Sequence, residues 1–152
     1  MKTTSRAAVE DFLAQRVLAV AGVSKNKKKF GNTIFRELRE KGYRLFPVNP
    51  NAAEIDGEKC FSSLKELPEE VGGVIIVTPP AETAKVVKDA ADAGIRRVWL
   101  QQGAETGEAI SLGREKGLSV VHGECILMFA EPAAFPHKAH RWIWGLLGKL
   151  PR

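Results

Sequence analysis

The residues of this sequence that are best suited to chemistry follow its first apolar run, Val17 to Ala21. Gly22 comes directly after that run, and lysines stand at positions 25, 27, 28 and 29. A stretch with helical spacing then begins at Gly31. Backbone N–H groups at such a turn and at the start of a helix point toward an anion. The pattern predicts a phosphate cradle that includes Gly22, Val23, Ser24, Lys27, Lys28, Lys29 and Asn32.

Composition narrows the class of partner. The chain has 152 residues, which fits one domain, and a formal net charge of +5, which favours anionic ligands. A phosphorylated cofactor is the first candidate, and nucleic acid is not expected because no basic-aromatic repeat is present. No apolar run reaches the roughly 18 residues of a membrane span, and the polar start predicts a cytoplasmic protein. Cys60 and Cys125 lie far apart, so neither a zinc site nor a disulfide is expected.

The elements that must position the cradle alternate between buried strands and helices. Strands are predicted at Val17–Ala21, Tyr43–Val48, Gly73–Val77, Arg97–Leu100 and Leu118–Val121. Helices are predicted at Gly31–Lys41, Ala81–Ala93 and Thr106–Lys116, with a short amphipathic helix around Val9, Phe12 and Leu13. We therefore predict an α/β fold, a doubly wound parallel sheet of about five strands with helices on both faces.

Each predicted strand ends in an unusual set of residues. Gly22-Val23-Ser24 follow the first strand, Asn49-Pro50 the second and Thr78-Pro79-Pro80 the third. Gln101-Gln102-Gly103 follow the fourth strand and Gly123-Glu124-Cys125 the fifth. Ligands of such sheets bind at the carboxyl ends of the strands. We expect all five ends to face one crevice, with no catalytic group and no metal site among them.

The glycine pattern limits which cofactor the cradle fits. A dinucleotide fingerprint needs G-x-G-x-x-G and an acidic residue at the end of the second strand, where this chain has Asn49. A Walker A motif is absent as well. NADP remains open, since its 2′-phosphate favours lysine, and coenzyme A fits through its 3′-phosphate. An NADP-dependent oxidoreductase or redox sensor is therefore the alternative to a coenzyme A-binding protein.

Six motifs in order carry a resemblance to a known family: Ala21-Gly22-Val23-Ser24, Pro47-Val48-Asn49-Pro50, Gly57-Glu58-Lys59-Cys60, Val77-Thr78-Pro79-Pro80, Val98-Trp99-Leu100-Gln101 and Glu124-Cys125-Ile126-Leu127-Met128. Together they resemble the small bacterial and archaeal CoA-binding proteins, which are similar to the N-terminal domain of succinyl-CoA synthetase α subunits. The resemblance covers Val9 to Met128. It implies a Rossmann-like fold, with phosphates on the first-strand loop and the ends of the next two strands around the nucleotide and the pantetheine.

The resemblance implies coenzyme A as the ligand but not the ligase reaction, because we expect no ligase domain in this chain. The expected role is a non-catalytic module that binds coenzyme A or an acyl-CoA. Besides the cradle, the candidate cofactor-binding residues are Asn49, Pro50, Thr78, Pro79, Pro80, Gln102, Gly103 and Cys125. The thiol of Cys125 could be buried in the core or face the thiol of coenzyme A.

The last residues differ from the rest. We expect residues 1–134 to form the CoA-binding domain and residues 135–152 to form a basic, amphipathic helical tail. The tail is expected to pack on the same domain or on a partner subunit, so a homo-oligomer is one expected assembly. An interaction module in which the tail docks a partner is the third functional hypothesis.

Overall fold

The computed structural model of the chain describes residues 5–26 and 29–129. Five parallel strands form one sheet: β1 (Val17–Ala21), β2 (Arg44–Val48), β5 (Gly73–Ile76), β6 (Arg97–Gln101) and β7 (Ser119–Glu124). Their order across the sheet is β2-β1-β5-β6-β7. The helices are α1 (Arg6–Leu13), α2 (Phe30–Glu40), α3 (Pro80–Asp92) and α4 (Gly107–Glu115). The predicted Rossmann-like α/β sheet is confirmed.

Helices cover both faces of the sheet because the buried strands present apolar side chains alternately to each side. Leu18 and Val20 of β1 belong to the core cluster that contains Phe12 of α1 and Phe35 of α2. Ala19 and Ala21 belong to the opposite cluster, with residues of α3 and α4. Among the residues described, no helix is long and apolar enough to cross a bilayer.

The amino-terminal helix is fastened to distant parts of the chain. The rings of Phe12 and Trp99 meet edge to face with centroids 5.3 Å apart. Arg97 Nε lies 2.7 Å from Asp11 Oδ2, across 86 residues of sequence. Gly73 at the start of β5 leaves room for this helix, since a Cβ there would lie 2.6 Å from a ring carbon of Phe12. The helix therefore belongs to the core of the domain.

Several local details differ from the sequence predictions. The segment 52–61, for which no strand was predicted, contains a hairpin of β3 (Glu54–Ile55) and β4 (Glu58–Lys59). Its turn residues, Asp56 and Gly57, both have positive φ, as a type I′ turn requires. At the start of α1, Ser5 is the cap, because its Oγ accepts a hydrogen bond of 3.1 Å from the Ala8 N–H. The predicted tail, residues 135–152, lies outside the described residues.

Candidate functional site

A cleft of about 730 Å³ opens at the carboxyl edge of the sheet. The ends of β1, β2, β5 and β6 all contribute to its walls. The strand order changes direction between β1 and β5, which is the topological switch point where ligands of such sheets bind. Ten of the predicted site residues line this cleft: Gly22, Ser24, Lys29, Asn49, Pro50, Thr78, Pro79, Pro80, Gln102 and Gly103.

At the switch point, the backbone of the turn after β1 lies in direct contact with the ends of β5 and α2. Gly22 has a φ of +111°, and a Cβ on it would lie 2.6 Å from the Val77 carbonyl carbon. A Cβ on Gly31, at the start of α2, would lie 2.8 Å from the Gly22 carbonyl oxygen. The turn after β1 is thus pressed between β5 and α2, and only glycine fits at both positions.

Asn32 holds the shape of this turn from behind. Its side chain is fully buried. Its Oδ1 accepts a hydrogen bond of 3.0 Å from the Ser24 N–H, and its Nδ2 donates one of 2.7 Å to the Ser24 carbonyl. Val23 is fully buried as well, in the core cluster under α2. Neither Asn32 nor Val23 is among the residues that line the cleft.

Asn49 joins the end of β2 to the same turn. Its Nδ2 donates a hydrogen bond of 2.9 Å to the Val23 carbonyl, and its Oδ1 accepts one of 2.8 Å from the Asn51 N–H. The amide side chain therefore fixes two backbone segments relative to each other. Pro50 beside it, and Pro79 and Pro80 opposite, add rigid walls that carry no backbone N–H donor.

Two threonine hydroxyl groups are hydrogen-bonded to each other at the cleft, one in its lining and one buried behind it. Thr78 Oγ1, after β5, lies 2.8 Å from Thr83 Oγ1 in α3. Thr83 is fully buried, and its Oγ1 lies 2.7 Å from the Ala104 carbonyl oxygen. Thr83 was not predicted as a site residue, although its spacing from Val87 and Ala90 places all three on the buried face of α3.

Positive charge and an aromatic ring stand at the mouth of the cleft. α2 begins at Phe30, and Lys29 before it makes no side-chain hydrogen bond to cap the first turn. The first N–H groups of a helix have no partner within the helix. Phe30 lines the cleft and is 48% exposed. Lys27 and Lys28 lie outside the described residues.

The ends of β6 and β7 form a different environment. Gln101 is 1% exposed; its Oε1 accepts a hydrogen bond of 3.1 Å from the Ile126 N–H, and its buried Nε2 has no partner within the described part of the chain. The buried Oε2 of Glu124 likewise has no partner there, and burial raises the pKa of Glu124 to about 7. Cys125 is half-buried against the core cluster of α1 and α2 and does not line the cleft.

Cys60 is a free cysteine whose side chain is buried. Burial raises the pKa of the Cys60 thiol, whose Sγ lies 3.8 Å from the Asn49 carbonyl oxygen. A raised pKa keeps the thiol protonated and unreactive. Within residues 5–26 and 29–129, no group of three His, Cys, Asp or Glu side chains is arranged to hold a metal ion.

Comparison with known proteins identifies the family. Residues 16–131 match the family described as the CoA binding domain. The α subunit of the ADP-forming acetate–CoA ligase II of Pyrococcus furiosus is 29% identical over 126 residues, which are 76% of this chain but only 28% of that subunit. The uncharacterized protein YneT of Bacillus subtilis is 28% identical over 83% of this chain and 94% of its own length.

A solved structure of similar fold is also related in sequence. A conserved hypothetical protein from Pyrococcus furiosus superposes with a TM-score of 0.70 and 41% sequence identity. The match covers 73% of this chain and 96% of that one. Relatives of two kinds therefore exist, namely small proteins of similar length and large ligase subunits of which this chain spans about a quarter.

Proposed function

The chain belongs to the CoA-binding domain family, and on that premise we propose that it binds coenzyme A or an acyl-CoA in the cleft at the carboxyl edge of its sheet. The observation that carries the proposal is the contact between Gly22, Gly31 and Val77. It leaves bare backbone beside the start of α2, where a pyrophosphate can approach N–H groups and the positive end of the helix dipole.

The walls of the cleft favour coenzyme A over NAD. NAD binding usually relies on a carboxylate at the end of the second strand, which accepts hydrogen bonds from the ribose. Asn49 occupies that position here, and its amide is already hydrogen-bonded to Val23 and Asn51. The proline walls and the ring of Phe30 offer apolar contact to a flat base or to the pantetheine arm.

The proposed role is binding without catalysis. The relative that is named as a ligase subunit is matched over only 28% of its length, so its reaction does not transfer to this chain. The acidic side chains that line the cleft, Glu82 and Asp89, are on α3. Asp89 lies 3.8 Å from Lys85 Nζ in an exposed ion pair, which is an ordinary arrangement for a helix surface.

Thermal melting of the ligand-stripped protein tests the proposal, with coenzyme A, dephospho-coenzyme A, NADP and NAD in parallel. A ligand at about 100 times its Kd adds ~2.7 kcal/mol, a rise in Tm on the order of 5–10 °C for a chain of this size. We expect the largest rise with coenzyme A. No rise with coenzyme A, or a larger one with NADP, would overturn the proposal.

Two charge reversals control the experiment. Lys29→Glu, at the mouth of the cleft, is expected to lower the affinity for coenzyme A roughly fivefold, the equivalent of about 1 kcal/mol. Lys116→Glu makes the same change in charge at the exposed end of α4 and is expected to leave the affinity unchanged. Equal losses for both variants would mean that only the net charge of the protein matters.

A further inference from the structure

Thr78, Thr83 and Ala104 form a hydrogen-bonded chain whose direction can be worked out from its two ends. The Ala104 carbonyl oxygen can only accept, and it lies 2.7 Å from Thr83 Oγ1. Thr83 has one hydroxyl proton, which must lie between these two oxygens, because two acceptors this close without a proton would repel. The Pro79 carbonyl is farther from the same hydroxyl, at 3.4 Å, and does not compete.

The direction of the second link follows. Since Thr83 donates to Ala104, it has no proton left for Thr78, and the 2.8 Å contact requires Thr78 to donate to Thr83. A hydroxyl has one proton and two lone pairs. The proton of Thr78 is therefore directed into the protein, and its free lone pairs can only accept. Donation along such a chain also polarises the oxygen at its start and strengthens it as an acceptor.

Thr78 is placed where a bound ligand can reach its hydroxyl oxygen. Thr78 lines the cleft between the switch point and the wall formed by Pro79 and Pro80. The nearby amide of Asn49 is engaged with backbone groups at both of its ends. The site thus offers donors and positive charge at the start of α2 and a fixed acceptor at Thr78.

We infer that Thr78 is a specificity-determining residue that accepts a hydrogen bond from an N–H group of the bound ligand. The inference rests on the proposed function, because coenzyme A carries such groups in the two amides of its pantetheine arm and in the amino group of adenine. A ligand that presents a carbonyl or an ether oxygen to Thr78 is rejected, since two acceptors would then face each other.

The experiment compares Thr78→Val with Thr78→Ser by calorimetric titration. Valine has the shape of threonine without the acceptor, whereas serine keeps the hydroxyl and the chain to Thr83. We expect Thr78→Val to raise the Kd for coenzyme A about tenfold and Thr78→Ser to change it less than about twofold. Thr106→Val, which removes the hydroxyl that caps α4, is the matched control and leaves the Kd unchanged.

Ligand fragments identify the donor. A loss confined to 4′-phosphopantetheine assigns it to a pantetheine amide, and a loss confined to adenosine 3′,5′-bisphosphate assigns it to the adenine amino group. For a pantetheine amide, replacing that amide with an ester removes the N–H, so wild type binds the ester about tenfold more weakly while Thr78→Val binds both forms equally. This pairing of variant and ligand is unaffected by any general loss of stability.

The inference and the proposed function fail in different ways. If wild type binds coenzyme A and Thr78→Val binds it equally well, the role of Thr78 is wrong and the proposed function stands. If wild type discriminates between amide and ester but Thr78→Val does so to the same degree, the donor contacts another acceptor and the inference is again overturned. If wild type binds no coenzyme A, the proposed function itself is wrong.

Discussion

The two halves of the carboxyl edge of the sheet handle polar groups in opposite ways. At the ends of β1, β2 and β5, the side chains of Asn32, Asn49 and Thr78 are tied to backbone or to other side chains. At the ends of β6 and β7, Gln101 Nε2 and Glu124 Oε2 are buried without a hydrogen-bond partner among residues 5–26 and 29–129. Both halves belong to the same sheet.

The difference indicates how the cleft is prepared for a ligand. In the first half, the polar side chains hold backbone segments together and leave few free groups to compete with a ligand. In the second half, burial keeps the carboxyl group of Glu124 from its preferred charged form. Hydrogen bonds therefore hold the first half in place, whereas in the second half burial raises the pKa of Glu124 to about 7.

The largest expected effect comes from adding a side chain at Gly22, where the backbones of two segments are in contact. Gly22→Ala adds a Cβ 2.6 Å from the backbone of Val77 at a φ of +111°. We expect the free energy of unfolding to fall by at least about 3 kcal/mol, because the backbone of β5 must move. Gly94→Ala is the matched control, since Gly94 also has positive φ but open space around its Cβ, and about 1–2 kcal/mol is expected. Urea unfolding that gives equal losses would contradict the close contact.

The next effect tests the half at the ends of β1, β2 and β5, through a residue that does not line the cleft. Asn32→Ala removes a fully buried amide and leaves the N–H and the carbonyl of the half-buried Ser24 without their side-chain partners. We expect a loss of about 2–4 kcal/mol in the free energy of unfolding, the same at pH 5 and pH 8. Asn51→Ala, an exposed amide nearby, is expected to change it by less than about 0.5 kcal/mol. A loss for Asn32→Ala as small as that of the control would mean that the turn holds itself.

The smallest effect belongs to the other half and depends on pH. Burial raises the pKa of Glu124 from 4.5 to about 7 in the folded protein. Between these values the folded chain binds a proton that the unfolded chain has lost, so wild-type stability falls as the pH rises from about 4.5 to 7 and then levels off. Glu124→Gln removes this dependence. We expect it to be more stabilising at pH 8 than at pH 4.5 by about 1 kcal/mol, a value reduced for partial exposure.

Melting curves from pH 4.5 to pH 8 measure the effect of Glu124→Gln. Glu115→Gln, on the exposed end of α4, is the control and is expected to follow the wild-type curve. A parallel course for wild type and Glu124→Gln would show that Glu124 titrates in the folded chain as it does in the unfolded one. The contrast between the two halves of the edge would then be lost.

The fold was predictable because its signals are local and repeated. Buried parallel strands are continuous apolar runs, and β1 was predicted to the residue, Val17–Ala21. The end of α2 was also readable, from Gly42. The helix α3 starts one residue earlier than predicted because Pro80 has no N–H to lose at a first helical position. The strand β7 continues beyond the predicted end, Val121, as far as Glu124, and it contains a bulge that no pattern in its sequence indicates.

The site was predictable only as a set of strand ends. Which side chains enter the cleft depends on contacts between segments far apart in sequence. Asn32 does not line the cleft, because its buried amide is hydrogen-bonded to the N–H and the carbonyl of Ser24 in the preceding turn. The register shift between Leu100 and Gln101 likewise changes which residue of β7 lies opposite β6. No spacing rule within one segment contains that information.

The attachment of α1 has a consequence for how the chain is made. Asp11 and Phe12 are synthesised before their partners Arg97 and Trp99, which follow 86 or more residues later. At ~5–20 residues per second, the apolar face of this helix waits roughly 4–17 s for the surface on which it docks. Val9 and Phe12, which are buried in the folded chain, are therefore exposed during synthesis and are natural sites for a chaperone to hold.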